Sequence, residues 1–124
     1  GENDAAAAIR AAAGMQEALV QHNMERQAKG LPPLRQGVGV HYGEVVAGNM
    51  GSENRLNYTV IGDTVNATSR LESSTKELQV EVLVSQEAVD AANHGAPQEL
   101  PGFKEIGELS LRGKEEGLKV YTLA

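Results

Sequence analysis

The chain has no cysteine and no tryptophan, and only one phenylalanine and three tyrosines among its 124 residues. Without cysteine there is no disulfide scaffold, no zinc finger and no thiol nucleophile; the composition fits a reducing, cytoplasmic setting. Aromatic residues make up 3% of the chain and apolar residues 40%, so any core must be aliphatic. Cations are also scarce. Eleven Lys and Arg face seventeen Asp and Glu, for a net charge of −6, which argues against a general nucleic-acid binder, since such a protein must neutralise a run of phosphates. One bound nucleotide held by a few local cations stays compatible with that balance. No apolar run approaches the roughly 20 residues that span a bilayer, so this segment is expected to make no membrane contact, although a longer parent protein could be tethered. The opening Gly-Glu-Asn-Asp-Ala lacks the basic region of a signal peptide. At this length one domain over residues 1–124 is the natural expectation.

Hydrophobic periodicity divides the chain. Residues 4 to about 29 predict a helix capped by Asn3 or Asp4, with Ile9, Ala12, Ala13, Leu19, Val20 and Met24 close to one face. Gly30 serves as its C-cap and Pro32-Pro33 as its stop. Gln36–Tyr42 alternates with period two and reads as a strand, with Val38, Val40 and Tyr42 on one side and Gly37, Gly39 and His41 on the other. Its two glycines leave one face nearly bare, so a helix or a ligand can come close. A hairpin about Gly51-Ser-Glu-Asn54 leads to a second β-like run over Leu56–Ile61. Asp63 caps a helix to about Leu78 whose inner stripe is Val65, Thr68, Leu71, Thr75 and Leu78, with Glu72 and Lys76 as a solvent-side i,i+4 pair. Val80–Val84 reads as a buried strand, Gln86–Ala92 as a short helix opened by Ser85, and Phe103–Leu111 and Leu118–Leu123 as two further strands. The order α, β, β, β, α, β, α, β, β predicts an α+β or mixed α/β fold. A long amphipathic helix at the very start wants strands before it, so the chain is expected to be the second part of a larger domain.

Several sites are excluded. Gly113-Lys114 is followed by Glu115 without P-loop spacing, and no Gly-x-Gly-x-x-Gly opens a helix. His22, His41 and His94 are far apart with no ligand pattern, and read as surface or packing residues. What remains is the junction after Thr59-Val-Ile-Gly62, where a helix begins and presents Asn66 and Arg70 one turn apart. A helix N-terminus carries partial positive charge, and Arg offers a planar, permanently charged fork that matches phosphate. The residues alone leave two readings open: an anion site, or an Asn that caps locally beside a solvated Arg.

The segments Gly37-Val-Gly-Val-His-Tyr-Gly-Glu-Val-Val-Ala-Gly-Asn-Met-Gly-Ser52 and Tyr58-Thr-Val-Ile-Gly-Asp-Thr-Val-Asn-Ala-Thr-Ser-Arg-Leu-Glu72, with Leu111-Arg-Gly-Lys114 and Val120-Tyr121, resemble the second half of a class III nucleotidyl cyclase catalytic domain. The resemblance covers essentially the whole chain. It implies an α+β fold of the ferredoxin-like or palm type, here missing its N-terminal strands and helices. By the same resemblance Asn66 and Arg70 are the transition-state pair, Asn66 orienting the ribose and Arg70 stabilising charge on the phosphates as the 3′-hydroxyl attacks. Thr59 falls where the family reads the purine and favours ATP over GTP, and Lys114 matches a lysine on the terminal phosphates. The family holds two Mg²⁺ or Mn²⁺ ions on two aspartates that have no counterpart in this chain, so no metal ligand is assigned. The chain alone is therefore expected to be inactive. Family sites form across a head-to-tail dimer, which makes ATP and either a second copy or another cyclase domain the implied partners. The competing reading is a non-catalytic cyclase-like module that dimerises and regulates.

Overall fold

A computed structural model describes residues 2–49, 59–61, 65–95, 100–110 and 117–124. The elements are α1 (Glu2–Ala28), β1 (Gln36–His41), β2 (Glu44–Asn49), β3 (Thr59–Ile61), α2 (Val65–Leu78), β4 (Val82–Ser85), α3 (Gln86–Gly95), β5 (Phe103–Leu109) and β6 (Leu118–Leu123). The expected α+β order is observed. The described strands form one six-stranded sheet in the order β3-β2-β1-β4-β6-β5. β1 and β4 are parallel, with Val38 beside Val82 and Val40 beside Val84, and the other neighbours are antiparallel.

Helices cover both faces. On one, Ala5, Ala6, Ala8, Ile9 and Ala12 of α1 and Ala88, Val89 and Ala92 of α3 bury against Val38, Val40, Val45, Val82 and Val84. On the other, Leu71 of α2 joins Leu83, Leu109, Leu118 and Val120. The core is aliphatic, as the composition requires. The alternation of β1 explains the two layers: its valines face α1 and α3, and its glycines face α2. A β-carbon on Gly39 would sit 2.5 Å from the Thr68 carbonyl oxygen and 2.6 Å from the Glu72 nitrogen. Only a strand with that bare face lets the backbone of α2 approach so closely.

Both long helices end in the same device. At α1, Leu31 N–H bonds the Arg26 carbonyl at 2.9 Å and Gly30 N–H bonds Gln27 at 3.0 Å, with Gly30 at φ +75°. At α2, Val80 N–H bonds Thr75 at 3.0 Å and Gln79 N–H bonds Lys76 at 3.3 Å, with Gln79 at φ +58°. These are Schellman caps. The second one holds Val80 in the helix terminus, so β4 begins at Val82 and not at Val80 as the hydropathy suggested. Ser85 opens α3 as expected, its Oγ accepting the Ala88 N–H at 3.1 Å.

Further expectations are corrected. Tyr42 does not continue β1: Tyr42 and Gly43 form a two-residue hairpin turn with φ of +52° and +82°, the positive pair that such a turn requires. Tyr42 is consequently exposed, and Gly43 packs against the backbone of Asp4 and Ala5. Glu72 does not face solvent. It is buried beside Gly37, while Lys76 is exposed; the close seating of α2 widens the contact stripe from Thr68, Leu71 and Thr75 to include position 72. The single apolar face assigned to α1 holds only in its first half. Val20 and Met24 are 53% and 60% exposed, because the helix outruns the sheet after Met15. β5 ends at Leu109 and α3 runs on to Gly95. The expected caps and turns at Asp63 and at residues 51–54 lie outside the described residues.

Candidate functional site

α2 carries the candidate site. Its seat is defined by Gly37 and Gly39 beneath it and by buried Thr68, Leu71, Ser74 and Thr75 on its inner side. Thr75 Oγ1 donates to the Glu72 carbonyl at 2.6 Å, so the buried hydroxyl is satisfied within the helix. Arg70 stands on the shoulder of this stripe, half-buried. Its Nε–H donates to the Ser110 carbonyl at 3.4 Å, where the chain leaves β5. Ser73 Oγ in turn donates to the Arg70 carbonyl at 3.1 Å. Among the described residues no acidic side chain pairs with the Arg70 guanidinium, and its terminal Nη nitrogens are unengaged.

Asn66 lies in α2 one turn before Arg70, a spacing that puts the two on one side of a helix; its side chain is outside the described residues. Thr59 is the first residue of β3, opposite Ala47 of β2, on the strand that leads into α2, and its side chain is likewise outside the description. Lys114 lies wholly outside the described residues. The structure thus sets Asn66 and Arg70 on one helix and Thr59 on the strand before it.

Two neighbours were missed by sequence reasoning. Ser110 acts through its backbone carbonyl, for which no side-chain signal exists. Glu72 was legible in principle, since it lies four residues after Thr68 and opposite the bare Gly37. Its burial pushes the carboxyl pKa up from the ordinary glutamate value. His41, the other buried titratable group near this face, shares a 2.7 Å hydrogen bond between Nδ1 and Ser85 Oγ. That places it in the packing role expected for it. Among the described residues no group of three or more His, Asp or Glu converges in a way that could hold a metal ion. No described helix is long and apolar enough to cross a membrane.

What this arrangement can do follows from its donors. A guanidinium fixed at Nε by a carbonyl, on the exposed shoulder of a closely seated helix, can grip an anion with its remaining four N–H groups.

Comparison with known proteins gives a consistent picture. A family model described as "Adenylate and Guanylate cyclase catalytic domain" matches residues 2–124. Adenylate cyclase 1 of Rhizobium meliloti is 35% identical over 116 residues, covering 94% of this chain and 17% of that protein. The adenylate cyclase of Anabaena cylindrica is 35% identical over 120 residues, 94% of this chain and 24% of that protein. The chain therefore spans less than a quarter of the length of these curated relatives. Among solved structures, the adenylyl cyclase CyaB from P. aeruginosa superposes with a TM-score of 0.66 at 25% identity, over 99% of this chain and 60% of that one.

Proposed function

The chain belongs to the adenylate and guanylate cyclase catalytic domain family, and from that premise we propose that it is a working part of an adenylate cyclase, which converts ATP to 3′,5′-cyclic AMP and pyrophosphate. In this reading the O3′–Pα bond forms, the 3′-hydroxyl proton leaving to solvent, as the bond from Pα to the bridging oxygen breaks and pyrophosphate departs. Arg70 meets the negative charge that builds on the phosphate oxygens, and Asn66 orients the ribose so that the 3′-hydroxyl is in line. Thr59 contacts the adenine edge, and Lys114 the terminal phosphates. The observation that carries the reading is Arg70 itself: a half-buried guanidinium, held at Nε by Ser110 and without a carboxylate partner among the described residues. A guanidinium held in place before substrate arrives costs no reorganisation in the reaction, and loss of one such donor typically lowers turnover about a hundred- to a thousandfold.

The divalent ions used by the family find no ligand cluster among the described residues. In this reading the chain contributes the Asn66 and Arg70 half of a site that a second cyclase domain completes, and no step is assigned here to the ions. The test is complementation. The chain is mixed with ATP, Mn²⁺ and a family cyclase domain that keeps its metal aspartates but has lost the arginine aligned with Arg70. Cyclic AMP, read by mass spectrometry, is expected from the mixture and from neither protein alone. Arg70→Ala in this chain is expected to lower kcat by two to three orders of magnitude with little change in the KM for ATP. A mixture that forms a dimer by sedimentation yet makes no product overturns the reading. Product from this chain alone overturns the half-site assignment.

A further inference from the structure

The geometry points to the end of β5 as the positioning element for Arg70, with the Ser110 carbonyl deciding which edge of the guanidinium is offered to substrate. This inference rests on the role proposed above for Arg70. An arginine can grip a phosphate side-on, through Nε and one Nη, or end-on, through its two Nη groups. Here Nε–H is engaged with Ser110, which removes the side-on mode and leaves the end-on fork. Orientation matters because a displacement of about 1 Å at a reacting centre can cost about a hundredfold in rate.

The position of that carbonyl is set by the β5–β6 pairing. Leu109 lies opposite Leu118 and Glu108 opposite Lys119, so Ser110 is the first residue past the ladder. Gly117 flanks the same end of the ladder on the other strand, just before Leu118. A β-carbon there would stand 2.6 Å from Glu108 Oε2 and 3.2 Å from the Leu109 carbonyl oxygen. The carboxylate is the end of a flexible side chain and can swing aside. The Leu109 carbonyl is backbone, one peptide before the group that holds Arg70, and must give by a few tenths of an ångström. Gly117 is thus a positioning residue that acts on Arg70 through β5.

The experiment has two arms. In protein labelled with ¹⁵N-arginine, the Arg70 Nε–H is expected to exchange with water roughly two- to fivefold more slowly than that of exposed Arg35, as a long hydrogen bond of 3.4 Å implies. Gly117→Ala is expected to remove that protection. Lys119→Ala, which breaks the exposed 3.5 Å pair with Glu105 on the same hairpin, is expected to leave it intact. In the complementation assay, Gly117→Ala is expected to lower kcat about three- to tenfold while the KM for ATP holds. An Arg70 Nε–H in the unaltered chain that exchanges as fast as Arg35 overturns the inference, whatever the variants do. So does a folded Gly117→Ala protein with unchanged exchange and kcat. Slow exchange with no cyclic AMP from the unaltered mixture leaves the positioning inference standing and removes the cyclase reading.

Discussion

Helices α1 and α2 lie on opposite faces of one sheet and are seated by opposite means. The buried positions of α1 are Ala5, Ala6, Ala8, Ile9 and Ala12, every one apolar. Those of α2, among the residues whose side chains are described, are Thr68, Leu71, Glu72, Ser74 and Thr75, with one apolar residue among them. By hydrophobic content α1 should be the better anchored helix, yet its second half carries Val20 and Met24 into solvent. α2 stays on the sheet because the strand beneath it offers glycines, and because small hydroxyl side chains fit there, Thr75 bonding within the helix. Apolar content decides whether a helix finds a sheet. Clearance in the strand decides how closely it sits. For a helix proposed to carry a catalytic arginine the second property matters more, since such chemistry depends on placement to a fraction of an ångström.

The contrast can be broken at its anchors. Ile9→Ala removes a fully buried side chain where α1 meets β1 and β4, and is expected to cost about 2–5 kcal/mol in urea unfolding. Met24→Ala on the exposed half of the same helix is expected to change stability by less than about 0.5 kcal/mol. Equal effects would mean that α1 is seated along its whole length. On the other face, Gly39→Ala drives a β-carbon into the Thr68 carbonyl, the Glu72 nitrogen and the Leu71 β-carbon at 2.5, 2.6 and 2.8 Å. Helix backbone cannot swing away as a side chain can. The expected loss is about 1–3 kcal/mol, together with a fall in complementing activity as α2 lifts and carries Arg70 with it.

A smaller effect isolates Glu72. Burial raises its carboxyl pKa in the folded state, so the folded chain binds this proton more tightly than the unfolded one. The stability tied to the protonated form is then complete below the ordinary glutamate range and is lost as pH rises through the folded value. Glu72→Gln should therefore melt at a higher temperature than the unaltered chain near neutrality, and the gap should close on acidification. A gap independent of pH would show that the carboxylate is ionised and well satisfied where it lies.

How far the sequence was legible follows the same division. β6 was read to the residue, the caps at Gly30 and Ser85 were recognised by type, and the bare face of β1 was assigned to close approach before any helix was seen on it. Each is a local signal: a period, a cap residue, a missing side chain. Tyr42 failed because a β-forming aromatic extended the alternation through a turn whose positive φ no composition announces. Met24 failed because amphipathic spacing shows which face of a helix is apolar and not how far the sheet beneath it reaches. Glu72 failed because charge was taken to mean solvent, although Gly37 opposite it had already made room. Spacing from Asn66 drew attention to Arg70 but left two readings open, and only the resemblance gave it a role. Its partner was invisible, because a backbone carbonyl forty residues away belongs to the fold and not to any motif.

The mildest test uses the substitution made at Gly39 and asks for the opposite sign. Gly14 is in α1, and a β-carbon there meets nothing within 4 Å. Gly14→Ala should then only restrict the unfolded chain and improve helix propensity, raising stability by about 0.5–1 kcal/mol. The same added methyl group is thus expected to strengthen one helix and to displace the other. If unfolding shows Gly14→Ala to be destabilising, the outer face of α1 is in contact with something in solution, and the looseness of that helix would belong to the isolated chain and not to the assembled protein. If the gain is found, the difference between the two helices lies in the sheet beneath them: valines under α1 hold it at side-chain distance, and glycines under α2 bring the arginine-bearing backbone down to contact.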